Sequence, residues 1–465
     1  MAATVTADPG HDNTSCSAGR ATQTVGSPFG SPFGSPFGYG LERRVSASSY
    51  VAFRVAFGAL VAIGQVRFVA RGWVHELYLA PAEHLTYPGF SWVRPLPSTA
   101  MYILVGALAV LGLLIAAGWR TRECAAAFTA GFVYCELIDA ALYLNHYWFI
   151  TLAGLLLALL PTPAGGTVPL VSVLALRAQL GVVYFFAGLA KLNSDWLLRA
   201  EPLRTWLAAR TDRPVIGGLM DEAWLAFGFS WVGAIFDLTI VGWLLWRRSR
   251  PWAYVVLVAF HVATAMFFQI GMFPWVMIAL TPIFFAPGWA DWLLDRRLFA
   301  TRQRDSPGLH APMRRAIVAS LVVLLALNVA LPLRHYAADG NVRWNDDGYL
   351  LSWRVLLTER AGTAWFEVVD LATGEQWTVG LDEVLDDWQV AGALTSPALL
   401  LAAAHLVANN ARSNGHDSIA VYADAHVAWN GRLHQRWIDP DVDLARVSEF
   451  APHRSFMLDP IEVTL

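Results

Sequence analysis

Nine stretches of mostly apolar residues, each about as long as a bilayer-spanning helix, occupy most of the first 333 residues of the chain. A backbone surrounded by hydrocarbon must satisfy its own hydrogen bonds, so such stretches fold as helices. The composition agrees, since 56% of the 465 residues are hydrophobic and only 15% are charged. We therefore expect a polytopic α-helical membrane protein. The predicted spans are 47–69, 99–118, 123–144, 146–162, 171–192, 224–246, 251–269, 271–288 and 316–333.

Basic residues in the short loops predict how these helices are oriented. Arginines occur before the first span and between spans two and three, six and seven, and eight and nine. With nine spans these loops all share the side of the N-terminus, and cytoplasmic loops are enriched in positive charge. This predicts an integral cell-membrane protein with a cytoplasmic N-terminus. The arginines are Arg43, Arg44, Arg120, Arg122, Arg247, Arg248, Arg250, Arg296, Arg297, Arg302, Arg304, Arg314 and Arg315.

The two ends of the chain differ from its apolar middle. Residues 1–45 are polar and contain three SPFG repeats, which predicts a disordered tail, although the repeated Phe could instead dock a partner. After Leu333, alternating patterns at 363–381 and 418–431 indicate strands, and the pattern at 393–411 indicates a helix. We therefore expect a tail (1–45), a transmembrane domain (46–333) and an extracytoplasmic α+β domain (334–465).

The charge, cysteine and histidine patterns exclude several functional classes. The net charge is −3 and no basic run is interleaved with aromatic residues, so we expect no nucleic-acid binding. The cysteines Cys16, Cys124 and Cys135 form no zinc pattern, and the last two lie too far apart on one predicted helix to form a disulfide. Three histidines lack the spacing of a metal site, so we expect no metal. They are His146, His261 and His335.

The segment VYFFAGLAKLNSDW (183–196) contains Lys191, the only lysine of the chain. Every other basic side chain counted in the charge is an arginine, which cannot give up its proton in a protein. A desolvated lysine can do so near neutral pH, so Lys191 is a candidate base. The alternative is a structural lysine that snorkels to the membrane interface, with Asp195 one turn later as its partner.

Several other polar groups fall at membrane depth, where they are costly and therefore candidates for function. For Arg54, Arg177 and Asp237 we expect buried ion pairs that fix helix packing. Three places converge at the outer ends of predicted spans and could line one active-site cavity. They are Asn145-His146, Lys191 and IGMFP (270–274).

Segments spread from about Ser48 to Asp443 resemble, in order, the vitamin K-dependent gamma-glutamyl carboxylase family, including its prokaryotic members. VYFFAGLAKLNSDW is similar to the family's VYFIAGxKKLDADW, with Ala190 at the first lysine and Lys191 at the second, the family's catalytic base. LNHYW (144–148) resembles the Asn-His pair that supports the reacting quinone. FHVATAMFFQIGMF (260–273) resembles a segment with the same His and IGMF spacing, with Thr264 where animal enzymes have Asn.

The resemblance continues in the C-terminal part. LPLRHYAADGNVRWNDDGYLLSW (331–353) keeps the family's His, Trp, Tyr and Ser-Trp positions. WNGRLHQRWIDPDVD (429–443) is similar to a further family segment, and VPLVSVLALRAQ (168–179) to another. The ordered agreement over most of the chain identifies the sequence as a member of this family.

The resemblance implies an enzyme of the carbon–carbon lyase class, which couples oxygenation of reduced vitamin K to its epoxide with carboxylation of protein glutamate. Its cofactor would be phylloquinol or menaquinol, with O2 and CO2 as co-substrates and a glutamate-containing peptide as partner. Lys191 would take the hydroquinone proton, Asn145 and His146 would hydrogen-bond the quinone, and His335 would lie near the glutamate. The implied cofactor-binding residues are His261, Gly271, Met272, Phe273, Trp344 and Tyr349, the last two walling off water.

Two other functions remain open on the sequence. One is a quinol epoxidase that carboxylates no peptide, and the other is a non-catalytic membrane scaffold. The single lysine argues against a scaffold, which could use arginine at position 191.

Overall fold

A computed structural model of the chain describes residues 43–214, 216–268, 270–294 and 311–461. Most of the predicted tail, residues 1–42 with Cys16, lies outside this part. Arg44, which the sequence assigned to the tail, begins a short strand β1 (Arg44–Ser46). This strand pairs antiparallel with β2 (Thr167–Pro169) and fastens the beginning of the helical region.

Helices of very different lengths form the apolar part of the chain. The long helices are almost uninterrupted apolar sequence, whereas Gly, Pro and polar residues separate the short ones. In chain order the helices are α1 (Ser48–Ala70), α2 (Ser98–Ala117), α3 (Thr121–Ile138), α4 (Asn145–Leu159), α5 (Leu170–Ala190), α6 (Ser194–Arg199), α7 (Leu203–Ala208), α8 (Gly217–Met220), α9 (Ala223–Leu245), α10 (Arg250–Phe267), α11 (Phe273–Leu280), α12 (Asp291–Leu294) and α13 (Ala311–Leu333).

Six helices in the described ranges are long and apolar enough to cross a membrane, rather than the nine spans that we expected. They are α1, α2, α5, α9, α10 and α13 with its continuation to Ala337. The helix α3 has 18 residues but includes the charged Arg122, Glu123 and Glu136. The helix α4 has only 15 residues, and α11 has eight before a 3-10 turn continues it to Phe284. The predicted orientation counted all nine stretches as crossings and stays a prediction.

Close backbone contact joins the first two long helices. A Cβ atom added to Gly58 would lie 2.4 Å from the carbonyl oxygen of Gly112, and one added to Gly112 would lie 2.9 Å from the carbonyl oxygen of Gly58. Small residues at such a contact allow helices in a membrane to pack without intervening side chains. The pair α1–α2 is therefore specified by two glycines.

Among the described residues neither Arg54 nor Arg177 forms an ion pair, so this expectation is wrong for both. Arg54 donates to the carbonyl of Ala116 in the last turn of α2, and Arg177 donates to the carbonyls of Ile283 and Phe285. The last carbonyls of a helix have no partner within the helix, so a guanidinium can bind them without an acid. Cys124 and Cys135 are buried free thiols, as predicted.

The C-terminal part folds around an antiparallel sheet with strand order β4-β3-β5-β6. Its long helix packs against the sheet through apolar residues such as Leu400 and Val407, which share a core with Phe366 and Val421. The predicted strands and helix are present, although the domain boundary near residue 334 stays a prediction. The elements are α14 (Val342–Asn345), β3 (Arg360–Asp370), β4 (Gln376–Gly380), α15 (Asp387–Ala393), α16 (Pro397–Ser413), β5 (Ile419–Trp429) and β6 (Gln435–Arg436).

Candidate active site

A cavity of about 760 Å³ lies between α5, α9 and α10. Most of its wall is aromatic or aliphatic, including the stacked rings of Phe236 and Phe260, whose centroids are 3.9 Å apart. Trp252 and Val256 also belong to the wall but are 74% and 54% exposed on the outer surface of the helices. The cavity therefore reaches the face that contacts lipid in a membrane.

Lys191 caps the C-terminal end of α5 and faces this cavity. Its Nζ atom donates to Oδ2 of Asp237 on α9 at 2.8 Å and to the carbonyl of Ala187 at 3.3 Å. The same atom lies 5.2 Å from the ring centroid of Trp196. Both side chains are less than a tenth exposed, so they form a buried, hydrogen-bonded lysine–aspartate pair.

The alternative reading of Lys191, a snorkelling side chain paired with Asp195, is wrong about the partner. Helical side chains point back toward the N-terminus of their helix. Lys191 accordingly lies over Ala187, one turn earlier, and reaches across to Asp237. Asp195 is directed elsewhere and binds two arginines of the C-terminal part, Arg432 and Arg343, at 2.7 and 2.9 Å.

A second polar pair lies on the same face of α5. Tyr184 precedes Lys191 by two helical turns, and its hydroxyl is 2.8 Å from Nε2 of His261 on α10. Both residues are buried and line the cavity. The cavity thus contains two hydrogen-bonded polar pairs in an otherwise apolar wall.

The predicted site residues of α4 and α11 meet beside the cavity. The His146 ring lies 6.1 Å from the ring of Phe273, which in turn lies 6.2 Å from the ring of His261. Gly271 has a φ of +59°, and a Cβ atom there would lie 3.9 Å from the His146 ring. Met272 faces α1 instead, since a Cβ atom at Gly64 would lie 3.8 Å from its sulfur.

Asn145 and His335 are joined through one residue that the sequence analysis did not select, Arg354. Asn145 donates from Nδ2 to the carbonyl of Arg354 at 3.1 Å and accepts a hydrogen bond from Tyr143. Nη2 of Arg354 lies 2.8 Å from Nε2 of His335. The residues predicted to bind the quinone and the glutamate therefore come together at the end of the helices that contacts the C-terminal part.

Trp344 and Tyr349 do not line the cavity, contrary to the expectation that they wall it off. Trp344 is 2% exposed, donates to the carbonyl of Leu458 at 2.8 Å and packs against Trp429. The indole is therefore a core side chain of the C-terminal part. Burial raises the pKa of Tyr349, so this phenol stays protonated at neutral pH.

Sequence reasoning missed three residues that the geometry places at the site: Asp237 as the partner of Lys191, Tyr184 and Arg354. Asp237 is the only charged residue within α9, so matching it with the single lysine was possible. Tyr184 lies seven residues before Lys191, which is a helical spacing. No sequence pattern singles out Arg354, because it follows α13 in an irregular segment.

Across the described ranges, no group of three His, Cys, Asp or Glu side chains could hold a metal ion.

Two protein-family models match successive parts of the chain. A model of the HTTM domain matches residues 42–289, which is more than half of the chain. A model of the lumenal domain of vitamin K-dependent gamma-carboxylase matches residues 313–462. No solved structure matches the chain.

Proposed function

Because the chain belongs to the vitamin K-dependent gamma-glutamyl carboxylase family, we propose that it couples epoxidation of reduced vitamin K to carboxylation of protein glutamate. The observation that carries this proposal is the Lys191–Asp237 pair in the wall of an apolar cavity that opens toward lipid. A buried ionisable pair in an apolar pocket is the expected form of an acid–base site.

The cavity suits a lipid-soluble quinol. An apolar wall with a few polar groups is the usual composition of a small-molecule site, and its aromatic side chains can pack against a fused ring. Reduced vitamin K, when bound, would supply the strong base that glutamate deprotonation requires, because no side chain is basic enough. Either phylloquinol or menaquinol fits this description, and O2 and CO2 would be the co-substrates.

Lys191 is the base in this proposal. The neutral amine of Lys191 would take the proton of the hydroquinone, and the carboxylate of Asp237 would then hold the resulting ammonium in an apolar surrounding. Arginine could not perform this step, since it stays protonated. The need for a side chain that can accept a proton would account for the single lysine beside 32 arginines.

Other side chains would orient the ring and the glutamate. The Tyr184–His261 pair in the cavity wall would hydrogen-bond the ring, and so would Asn145 and His146, with Phe273 packed between the two histidines. His335 would present its imidazole to the glutamate. We further propose that the C-terminal part, which matches a lumenal-domain model, lies outside the cell membrane, where a peptide can reach it, and that the N-terminus is cytoplasmic. This arrangement requires an odd number of crossings, so at least one of the shorter helices α3, α4 and α11 would have to cross in addition to the six long ones.

A second candidate function is quinol epoxidation without peptide carboxylation. One observation favours it: Trp344 lies in the core of the C-terminal part, and neither it nor Tyr349 closes the cavity against water. Water would quench a glutamate carbanion, so carboxylation requires another barrier.

The test is epoxide formation from reduced vitamin K by the purified protein in detergent, with and without a glutamate-containing peptide and labelled bicarbonate. We expect wild type to form epoxide and to label the peptide, and Lys191→Ala to lose both by at least a hundred-fold. Lys191→Arg is the matched control, because it keeps the positive charge but cannot accept a proton. We expect it to be as inactive as Lys191→Ala.

Three outcomes would separate the candidates. Epoxide without label would leave the epoxidase. Wild-type epoxide formation by Lys191→Arg would remove the lysine from the mechanism. An inactive wild type would favour the alternative that the protein is a non-catalytic membrane scaffold.

A further inference from the structure

Arg354 is a buried cation without a carboxylate partner in the described ranges. The residue is 6% exposed, and its only side-chain hydrogen bond within the described part of the chain joins Nη2 to Nε2 of His335. Its Nε atom is buried and has no partner among the described residues. An uncompensated buried charge is costly, which makes such a group a candidate for binding a counter-ion.

Three other arginines of the C-terminal part show the usual arrangement. Each is buried or nearly so, and each lies within 3 Å of an aspartate: Arg343 and Arg432 with Asp195, and Arg360 with Asp346. Arg360 and Arg432 also have an unbonded Nε atom, but a carboxylate balances their charge. Arg354 therefore differs from its neighbours in charge balance rather than in one missing hydrogen bond.

His335 cannot supply the missing negative charge. Arginine has only donors, so the 2.8 Å contact requires Nε2 of His335 to accept. The other ring nitrogen, Nδ1, then carries the proton and donates to the carbonyl of Pro332 at 2.8 Å. The imidazole is neutral in this arrangement, and the guanidinium keeps its full charge.

The backbone around Arg354 is held in an unusual conformation. Leu351, Trp353 and Leu356 have φ values of 59°, 59° and 58°, which is the left-handed region that side chains rarely adopt. Such strain persists only where the surrounding structure fixes it, and it concentrates at binding sites. Val355 and Leu356 line the cavity, so Arg354 directly precedes two residues of the cavity wall.

We propose that Arg354 binds the side-chain carboxylate of the substrate glutamate. The proposal rests on the proposed function and names the residue that would recognise its peptide substrate. A guanidinium forms charge-assisted hydrogen bonds with a carboxylate and can hold it in one orientation. The hydrogen bond from Asn145 to the Arg354 carbonyl fixes the backbone of this residue relative to α4, and His335 binds the same guanidinium.

The test compares two peptides that differ only in Glu or Gln, labelled with a dye and titrated with the full-length protein in detergent. Fluorescence anisotropy gives each Kd without requiring activity. We expect wild type to prefer the Glu peptide, and Arg354→Gln to weaken its binding at least ten-fold while changing the Gln peptide less than two-fold. Arg354→Lys should retain an intermediate preference. Arg436→Gln, on the exposed edge strand β6, is the control and should behave as wild type.

A wild-type preference for Glu over Gln in the Arg354→Gln variant would overturn the proposal, as would the absence of any preference in wild type. If Arg354→Gln does not fold, the same ratio measured for Arg354→Lys decides. Bicarbonate offers the same anionic chemistry, so each titration is repeated in bicarbonate-free buffer. Bicarbonate could weaken peptide binding only where Arg354 is present and leave the ratio of the Glu-peptide Kd to the Gln-peptide Kd unchanged. That result would assign the site to the free anion and overturn the peptide assignment.

Failure of the proposed function gives a different result. An Arg354-dependent Glu preference in a protein that forms no epoxide would keep this site and reject the enzyme. Carboxylation by a protein whose Glu preference does not depend on Arg354 would do the reverse.

Discussion

Two aspartates near the end of α5 bind cations in opposite ways. Asp237 lies in the cavity wall and shares one hydrogen bond with one lysine. Asp195 is 1% exposed and is held by Arg432, Arg343 and the amide of Asn430 at the junction with the C-terminal part. Under the proposed function, the number of bound cations and the access to a cavity, rather than burial, therefore separate the reactive carboxylate of Asp237 from the structural one of Asp195.

The two sites also differ in whether a proton can move. Burial raises the pKa of Asp195, but the hydrogen bonds from Arg432 and Asn430 and the charges of Arg343 and Arg432 outweigh it and lower the pKa below its usual range. Asp195 therefore stays ionised, and its arginine partners cannot give up a proton. The Lys191–Asp237 pair contains a lysine that can, and it borders space for a ligand.

The largest effect should follow from Asp237→Asn, which removes the carboxylate that binds Lys191. The ammonium formed at Lys191 would lose its counter-charge in an apolar wall, so we expect epoxide formation to fall on the order of a thousand-fold. Initial rates of epoxide formation over a range of quinol concentrations would separate a loss of kcat from a rise in KM.

Asp237→Glu is the conservative variant and should recover part of the rate, because it restores the charge in a slightly different place. An unchanged rate of epoxide formation in Asp237→Asn would indicate a purely structural role. Equal decreases in melting temperature in Asp237→Asn and Asp237→Glu would indicate the same.

An intermediate effect should follow from Asp195→Asn, which removes the carboxylate that binds Arg432 and Arg343. Two buried guanidiniums would lose their carboxylate, and we expect a loss of about 3 kcal/mol in the free energy of unfolding. The epoxide rate of the folded fraction should change far less than in Asp237→Asn. Thermal unfolding in detergent, with activity measured well below the transition, tests both statements. A thousand-fold loss of rate without a loss of stability would reverse the assignment of the two aspartates.

The smallest effect should come from an aspartate outside both sites. The hydrogen bond from His416 and those from the backbone of Ala372 and Thr373 lower the pKa of Asp370 to about 2. A lowered pKa in the folded state stabilises the protein above the ordinary pKa of about 4, and this contribution disappears as the pH falls toward 2. The stability difference between wild type and Asp370→Asn should therefore narrow over that interval. A difference that stays constant from pH 5 to pH 2 would contradict it.

The sequence predicted the long helices and the α+β character of the C-terminal part, because the apolar runs and the alternating patterns are local properties. It overestimated the lengths of α3, α4 and α11, since an apolar run does not show where a helix breaks, as at Gly271 with its positive φ. It also failed for contacts between distant residues. Lys191 and Asp237 are 46 residues apart, and Asn145 and Arg354 are 209 apart. Trp344 was predicted to wall off the cavity but packs in the core of the C-terminal part. A motif alone does not distinguish these two roles of an aromatic residue.

The exposed Trp252 and Val256 in the cavity wall have a consequence for how such an enzyme would respond to its substrate. A quinol entering through this side never passes through water, so the concentration that determines the rate is its mole fraction among the lipids. Adding empty bilayer or detergent at constant total quinol would then slow the reaction by surface dilution. Expanding the aqueous volume would leave the rate unchanged.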